Sequence, residues 1–207
     1  VLWGVTQECL KRTIFPMGKF HKKDIKQMAI DRGYVELAKK SESYEICFIP
    51  DNDYRGFLKR RVKGLEEKVK GGDFVSVSGE ILGKHDGYPF YTIGQRKLGV
   101  SLGSDPTYVV GIKEEENIVV VGTKEDLKKQ EMYVKNINYV KYSKIEDGSQ
   151  MLVKIRYKHT GEMATVYNEN DNLKVIFHNK VQGIAPGQSA AFYEDNDLVA
   201  GGFIMKT

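Results

Sequence analysis

Cysteine is scarce in this sequence, and its scarcity excludes two classes of protein. The 207 residues include only Cys9 and Cys47, too few for the disulfide framework of a small secreted domain. There is no CxxC pair or Cys/His cluster with the ligand spacing of a zinc site. The four histidines stand apart from other ligand residues: His21, His85, His159 and His178. We therefore expect no metal centre and a reducing, cytoplasmic compartment.

Long apolar runs and glycine-rich phosphate loops are also missing. No stretch approaches the ~18 apolar residues of a membrane span. No charged-then-apolar segment is visible in the first residues, so we expect no secretory signal. No GxxxxGK[ST] or GxGxxG motif is present to hold the phosphates of a nucleotide. Because the sequence starts at Val1 and its first residues are typical of the interior of an element, we expect a portion of a longer protein.

Charge is distributed unevenly, although the net charge is only +4. Residues 1–70 carry 16 basic and 10 acidic side chains, whereas residues 71–207 carry 16 and 18. A basic front segment indicates a polyanionic partner that contacts one face of the protein. The alternative is that these charges only keep the protein soluble, and charge alone favours that alternative.

Two helices are predicted in the first 70 residues. Residues 25–32 have apolar side chains at helical spacing, and Gly33 is placed to end this helix. We interpret residues 34–38 as a short strand. A second helix is predicted after Asp53, a candidate N-cap, and it carries Phe57.

After Gly72 the sequence alternates short β-type runs with turn residues. Hydrophobic residues make up 41% of the chain, enough for a buried core. The predicted fold class is mostly β (α+β overall), and six strands after residue 130 indicate a small antiparallel barrel or sandwich. The predicted strands are residues 74–79, 88–93, 107–112, 117–122, 133–140, 151–158, 164–168, 173–177, 188–194 and 198–204.

Three residues could carry chemistry, and each has a structural alternative. A reactive thiolate needs access and nearby positive charge. Cys47, however, lies between Ile46 and Phe48, a setting typical of an inert buried cysteine. Arg156 and Tyr157 could contact a phosphate and stack on an unpaired base, or they could protect the edge of a strand.

The remaining candidates carry less information. Gln188 lies in a Pro-Gly turn and is only a candidate contact. The loop that contains Gln95, Arg96 and Lys97 could hold phosphates, and it could equally be a solvated turn. His85 is interpreted as a turn or surface residue, because no nucleophile is paired with it in the sequence.

Three motifs, taken in order, resemble the tRNA-specific 2-thiouridylase family. They are KSESYEICFIP at residues 40–50, GKHDGYPFYTIGQRK at 83–97 and APGQSAAFY at 185–193. Residues 14–34 also resemble the helix that leads from the family's ATP-binding domain toward its second cysteine. The resemblance extends over essentially the whole chain.

The resemblance implies a domain organisation and a reaction. Residues 1–50 would be the remnant of the ATP-binding catalytic domain, 51–129 a central β-rich domain and 130–207 a six-stranded antiparallel β-barrel. The family converts the wobble uridine of tRNA to 2-thiouridine. ATP adenylates the C2 oxygen of the base, a cysteine persulfide supplies sulfur to C2, and a second cysteine closes a disulfide with the spent one.

The resemblance also implies roles for individual residues and partners. Cys47 stands at the position of the persulfide cysteine, which reverses the interpretation from its neighbours alone, whereas Cys9 matches neither catalytic cysteine. Contacts to tRNA fall on Arg156, Tyr157 and Gln188. The implied partners are tRNA and a sulfur-carrier protein or cysteine desulfurase, with no membrane.

The family's ATP site has no matching positions in this sequence. ATP is therefore expected as a substrate of the full-length enzyme and not as a ligand of this chain, which alone is expected to be inactive. One alternative is a non-catalytic RNA-binding module built on a translation-factor-like barrel. Another is a thiol–disulfide protein, which is disfavoured because 38 positions separate Cys9 from Cys47 without a CxxC pair.

Overall fold

The structure, a computed structural model, describes residues 2–40, 48–49, 51 and 53–206. The chain divides into a helical unit, Glu8–Lys63, and a β unit made of Val1–Gln7 and Gly64–Thr207. The predicted site residue Cys47 lies outside the described residues. Within the described part of the chain, no helix combines the length and the apolar character that crossing a bilayer requires.

The first four helices confirm two of the predictions and correct a third. Their bounds are α1 (Gln7–Arg12), α2 (Lys22–Asp31), α3 (Val35–Lys39) and α4 (Tyr54–Arg61). The predicted helices correspond to α2 and α4, and the Asp53 side chain accepts a hydrogen bond from the Gly56 amide at 2.8 Å. The strand predicted at residues 34–38 is wrong, because Glu36, Leu37 and Ala38 favour the helix α3 that contains them.

The β unit begins with a short helix and a four-stranded sheet. The bounds are α5 (Leu65–Val69), β1 (Gly72–Ser76), β2 (Ile81–His85), β3 (Tyr108–Lys113) and β4 (Ile118–Gly122). The strand order is β2-β1-β4-β3, with β1 parallel to β4 and the other pairs antiparallel. Phe74, Val109, Val119 and Val121 form its buried core.

Two details of this sheet differ from the prediction. Residues 88–93 are not a strand, and Tyr88–Phe90 form a 3₁₀ turn. Pro89 has no N–H to donate to a β-ladder. The Phe90 side chain is buried. Strand β2 was not predicted, because Gly83 and Lys84 interrupt its alternation of apolar and polar residues.

His85 is buried rather than exposed, contrary to the prediction. It is 5% exposed, and its ring contacts those of Phe74 and Tyr91 at 5.1 and 5.4 Å between centroids. Gly72, its partner in β1, leaves room for the ring, since a Cβ there would lie 2.3 Å from Cε1 of His85. Burial lowers the pKa of His85, and the Nδ1 atom accepts a hydrogen bond from the Gly87 amide at 3.0 Å.

The rest of the β unit is a closed, antiparallel six-stranded barrel, which confirms the predicted fold class. Its strands are β5 (Lys128–Tyr139), β6 (Ser149–Lys154), β7 (Glu162–Glu169), β8 (Asn172–Gln182), β9 (Ser189–Glu194) and β10 (Asp197–Ile204). They close in the order β10-β5-β8-β7-β6-β9. Alternate side chains point inward and are fully buried, as in Val153, Val175, Phe177 and Phe192.

Residues 2–7 pack along the outside of the barrel. The Trp3 ring meets Phe203 of β10 edge to face, with 5.0 Å between the ring centroids. Asn138 of β5 donates hydrogen bonds to the carbonyl oxygens of Trp3 and Val5. Gly201 is required beneath the indole, because a Cβ there would lie 2.4 Å from Trp3.

Candidate nucleic-acid interface

Arg156 and Tyr157 lie in a turn that follows β6. The strand was predicted to run to residue 158, but β6 ends at Lys154, and the His159 amide donates to the Arg156 carbonyl at 3.1 Å. The alternative that these residues protect an open edge is wrong, because β6 is paired with β7 on one side and β9 on the other. The Tyr157 side chain is 97% exposed, so its ring is accessible to a partner.

The backbone at the end of β8 holds the Arg156 side chain. Its Nη1 donates to the Gln182 carbonyl at 3.0 Å. Gly183, at φ +77°, permits this approach, because a Cβ there would lie 2.7 Å from the same nitrogen. The guanidinium has five N–H donors, and this hydrogen bond uses one of them. The sequence analysis did not single out Gly183, and only the structure relates it to Arg156.

Gln188 has a fixed backbone and an exposed side chain. The Gly187 amide donates to the Ile204 carbonyl, and the Ile204 amide donates to the Gln188 carbonyl, both at 2.8 Å. These two hydrogen bonds join the Pro186–Gln188 turn to the end of β10. The turn therefore presents the Gln188 amide group from a rigid position.

The barrel topology brings Arg156, Tyr157 and Gln188 to one end. Strands β6 and β8 run in the same direction, because each pairs antiparallel with β7. Residues 155–161 and 183–188 consequently extend from the same end of the barrel, which we call the rim. Exposed lysines accompany the three predicted residues there: Lys129, Lys158 and Lys180. The acidic residue Glu162 follows the first of these segments and accepts a hydrogen bond from Asn179 at 2.9 Å.

Burial and positive charge at the rim also affect His159. Burial is the largest cause that lowers its pKa, and the charge of Arg156 lowers it further. The lowered pKa favours the neutral imidazole, so His159 adds less positive charge to this turn than Arg156 and Lys158 do. The rim thus combines a held guanidinium, an exposed aromatic ring and an exposed amide, the groups that contact phosphates and unpaired bases.

The loop of Gln95, Arg96 and Lys97 is supported from within the sheet. Gln95 Oε1 accepts a hydrogen bond from the Thr92 amide at 3.1 Å, and the Gln95 carbonyl accepts one from Val109 at 3.0 Å. The Gln95 side chain therefore stabilises the turn. Arg96 lies over the Tyr108 ring, 5.4 Å from its centroid, while Lys97 is exposed.

No group of three or more His, Cys, Asp or Glu within the described ranges could hold a metal ion. Cys9 is exposed on α1. Of the predicted site residues, Arg156, Tyr157 and Gln188 lie at the rim, which is the candidate interface. Cys47 lies outside the described residues.

Three domain-family models match successive parts of the chain. They are a tRNA methyl transferase HUP domain at residues 1–51, a tRNA methyl transferase PRC-barrel domain at 55–123 and an aminomethyltransferase beta-barrel domain at 129–204. The last two ranges contain the four-stranded sheet and the closed barrel. Together the three matches extend over nearly the whole sequence.

Curated relatives are similar over the full length of this chain. A tRNA-specific 2-thiouridylase MnmA from Cytophaga hutchinsonii is 52% identical over 208 residues, which cover 100% of this chain and 56% of the relative. The enzyme of the same name from Amoebophilus asiaticus is 52% identical over 98% of this chain and 54% of the relative. That from Salinibacter ruber is 48% identical over 98% and 53%.

The chain therefore spans about half the length of the curated relatives it matches. The identity is 48–52% over the whole chain. The three domain matches follow one another along the helices, the sheet and the barrel, and they agree with the same family. The chain belongs to the tRNA-specific 2-thiouridylase family.

Proposed function

We propose that this chain is the tRNA-binding and sulfur-bearing part of an enzyme that makes 2-thiouridine at the wobble position of tRNA. The observation that carries the proposal is the rim, where Arg156, Tyr157 and Gln188 converge on a chain that belongs to this family. Arg156 positions a phosphate, Tyr157 stacks on an unpaired base and Gln188 offers both a donor and an acceptor.

The proposed chemistry begins with activation of the base. Uridine C2 carries a poor leaving oxygen, and adenylation by ATP converts that oxygen into part of AMP. ATP binding is assigned to a part of the enzyme outside this chain. The activated carbon then requires a strong, soft nucleophile, which a persulfide supplies better than a hydroxyl group does.

Cys47 is proposed to carry the persulfide. Its terminal sulfur attacks C2, the C2–O bond breaks and AMP leaves. A second cysteine thiolate then attacks the Cys47 sulfur, the bond between that sulfur and the transferred sulfur breaks, and a disulfide forms while the transferred sulfur remains on C2. Before the next turnover a cellular dithiol reductant would reduce this disulfide to two thiols, and a sulfur-carrier protein or a cysteine desulfurase would then load Cys47.

Nucleoside analysis of tRNA tests this assignment against its rivals. In a strain that lacks the full gene, we expect mass spectrometry to detect no 2-thiouridine at the wobble position. Unchanged thiolation would favour a non-catalytic RNA-binding module. Loss of a methylated nucleoside with thiolation intact would favour the methyl transfer that two of the domain descriptions name.

Substitutions at the rim should separate phosphate contact from base stacking. We expect Arg156→Ala to reduce the salt dependence of tRNA binding by one phosphate contact, or about 0.7–0.9 in the slope of log K against log salt concentration. Tyr157→Ala should weaken binding at every salt concentration without changing the slope, because stacking releases no counterions. Anisotropy titrations of labelled tRNA at several salt concentrations measure both effects.

Lys144→Ala is the matched control for these titrations. Lys144 is exposed in the β5–β6 connection at the opposite end of the barrel, and the substitution removes the same charge. We expect it to leave the slope unchanged. A change in slope equal to that of Arg156→Ala would mean that the rim is not the binding surface.

A further inference from the structure

A cleft of about 280 Å³ lies between the sheet and the barrel of the β unit. One wall consists of Tyr88, Tyr91 and Ile112, and the other is formed by the Pro186–Gln188 turn. Lys206 bridges the two parts, with its Nζ atom 3.2 Å from Oε1 of Glu114. Most of the lining is apolar. Four lining residues are polar and exposed, and we call them the mouth of the cleft: Thr92, Glu114, Gln188 and Lys206.

The sheet-side wall is held by contacts behind it. The Tyr91 ring packs edge to face against Phe74, with 5.2 Å between centroids, and also contacts the buried His85. The Tyr88 amide donates to Oδ1 of Asn117 at 3.4 Å, and Nδ2 of the same asparagine donates to the Val69 carbonyl at 2.7 Å. The aromatic wall is thereby fixed to the sheet before any ligand arrives.

The barrel-side wall is fixed independently, because the Pro186–Gln188 turn is joined to Ile204 by its two backbone hydrogen bonds. Because both walls are preformed, a rigid, flat ligand can bind in the cleft with little loss of side-chain conformational entropy. At about 280 Å³ it is slightly smaller than the ~300–1,000 Å³ of most small-molecule sites, so a single base fits it better than a large cofactor.

The surroundings of the cleft indicate the chemical class of its ligand. Gln188 belongs both to the mouth of the cleft and to the rim, where Arg156 and the exposed lysines provide positive charge for a phosphate backbone. Aromatic and aliphatic walls suit the face of a base, while the Gln188 amide and the Thr92 hydroxyl suit its hydrogen-bonding edge. A base-paired duplex cannot insert a base into such a cleft.

We propose that this cleft accepts an unpaired base of the tRNA bound at the rim. This inference rests on the proposed function and adds a second contact for single-stranded RNA, separate from Tyr157. The cleft makes the sheet and the barrel act together, because the base lies between the aromatic wall of one and the Gln188 turn of the other.

Filling the cleft tests the proposal. Thr92 is exposed at the mouth, so Thr92→Trp should occupy the cleft without disturbing the core. We expect this variant to bind an anticodon stem–loop RNA roughly tenfold more weakly, the loss of one stacked base. Its binding to a fully paired duplex of the same length should not change. Anisotropy titrations of the 207-residue chain with both RNAs provide the comparison.

The matched control is Ser104→Trp, which adds the same side chain to an exposed, neutral loop residue outside this cleft and should bind both RNAs as the unmodified chain does. Tyr88→Phe should retain stem–loop binding, whereas Tyr88→Ala should weaken it by up to the same factor of about ten. The inference is overturned if Thr92→Trp binds the stem–loop normally, if it weakens both RNAs equally, or if it changes the oligomeric state instead. If the unmodified chain binds neither RNA, the proposed RNA-binding function fails as well.

Discussion

Replacing Cys47 with serine in the full-length enzyme is expected to abolish tRNA thiolation while leaving tRNA binding and base adenylation largely intact. The reason is chemical: a serine hydroxyl cannot carry a terminal sulfur, so the activated C2 carbon would have no sulfur nucleophile. The rim residues that we propose as tRNA contacts lie in the barrel, and this substitution removes none of them. Thiolation measured with the physiological sulfur carrier, alongside tRNA binding and the pyrophosphate that adenylation releases from ATP, separates these steps.

Cys9→Ser serves as the control, because Cys9 is the other thiol of the chain. It is exposed on α1, and its carbonyl accepts a hydrogen bond from Thr13 Oγ1 at 2.7 Å, a backbone contact that serine preserves. We expect nearly normal thiolation from this variant. Normal thiolation by Cys47→Ser would refute the persulfide assignment, and an inactive Cys9→Ser variant would favour the dithiol alternative.

The barrel could be predicted from the sequence because its strands follow a simple rule. In β8, for example, Leu173, Val175 and Phe177 are buried while the residues between them are more exposed, the period of two that one buried face requires. Periodicity alone could not choose between a barrel and a sandwich. Closure depends on β10 pairing with β5 and on β6 pairing with β9, and strand periodicity does not specify these partners.

The errors have local physical causes. The segment of residues 34–38 is too short for periodicity to distinguish a helix from a strand. The helix propensity of Glu36–Lys39 favours the helix that the structure shows. In residues 88–93 the aromatic and β-branched content favours a strand, but Pro89 excludes the ladder. The burial of His85 in β2 depends on its partner Gly72 in β1. This pairing can be identified only when the register of the two strands is known.

The candidate interface stays a prediction, and the sequence could not show that its residues share one end of the barrel. Residue type left Arg156 and Tyr157 open between contacts to nucleic acid and protection of a strand edge. The resemblance to the family implied tRNA contacts there and at Gln188, 32 positions after Arg156. The shared direction of β6 and β8 brings them to one rim. The cleft beside Gln188 could not be predicted, because its walls come from the sheet and from the barrel.

The barrel core should be highly sensitive to truncation at Phe177, and this is our largest expected effect on stability. Phe177 is 0% exposed in β8 and stands opposite Ala164 of β7, so its ring fills space that the small alanine leaves. The closed barrel restricts how far neighbouring strands can move into the void. We therefore expect Phe177→Ala to reduce the free energy of unfolding by about 3–5 kcal/mol.

Urea unfolding followed by tryptophan fluorescence measures this change in the barrel itself. Trp3 is the single tryptophan, and it packs on Gly201 and Phe203 of β10, so its emission reports the loss of barrel structure. Tyr167→Ala is the matched control, because this β7 side chain is 39% exposed and its loss should cost no more than about 1 kcal/mol. Equal losses in the two variants would contradict a single closed core, since only a loosely packed or open barrel could relax around the missing Phe177 ring.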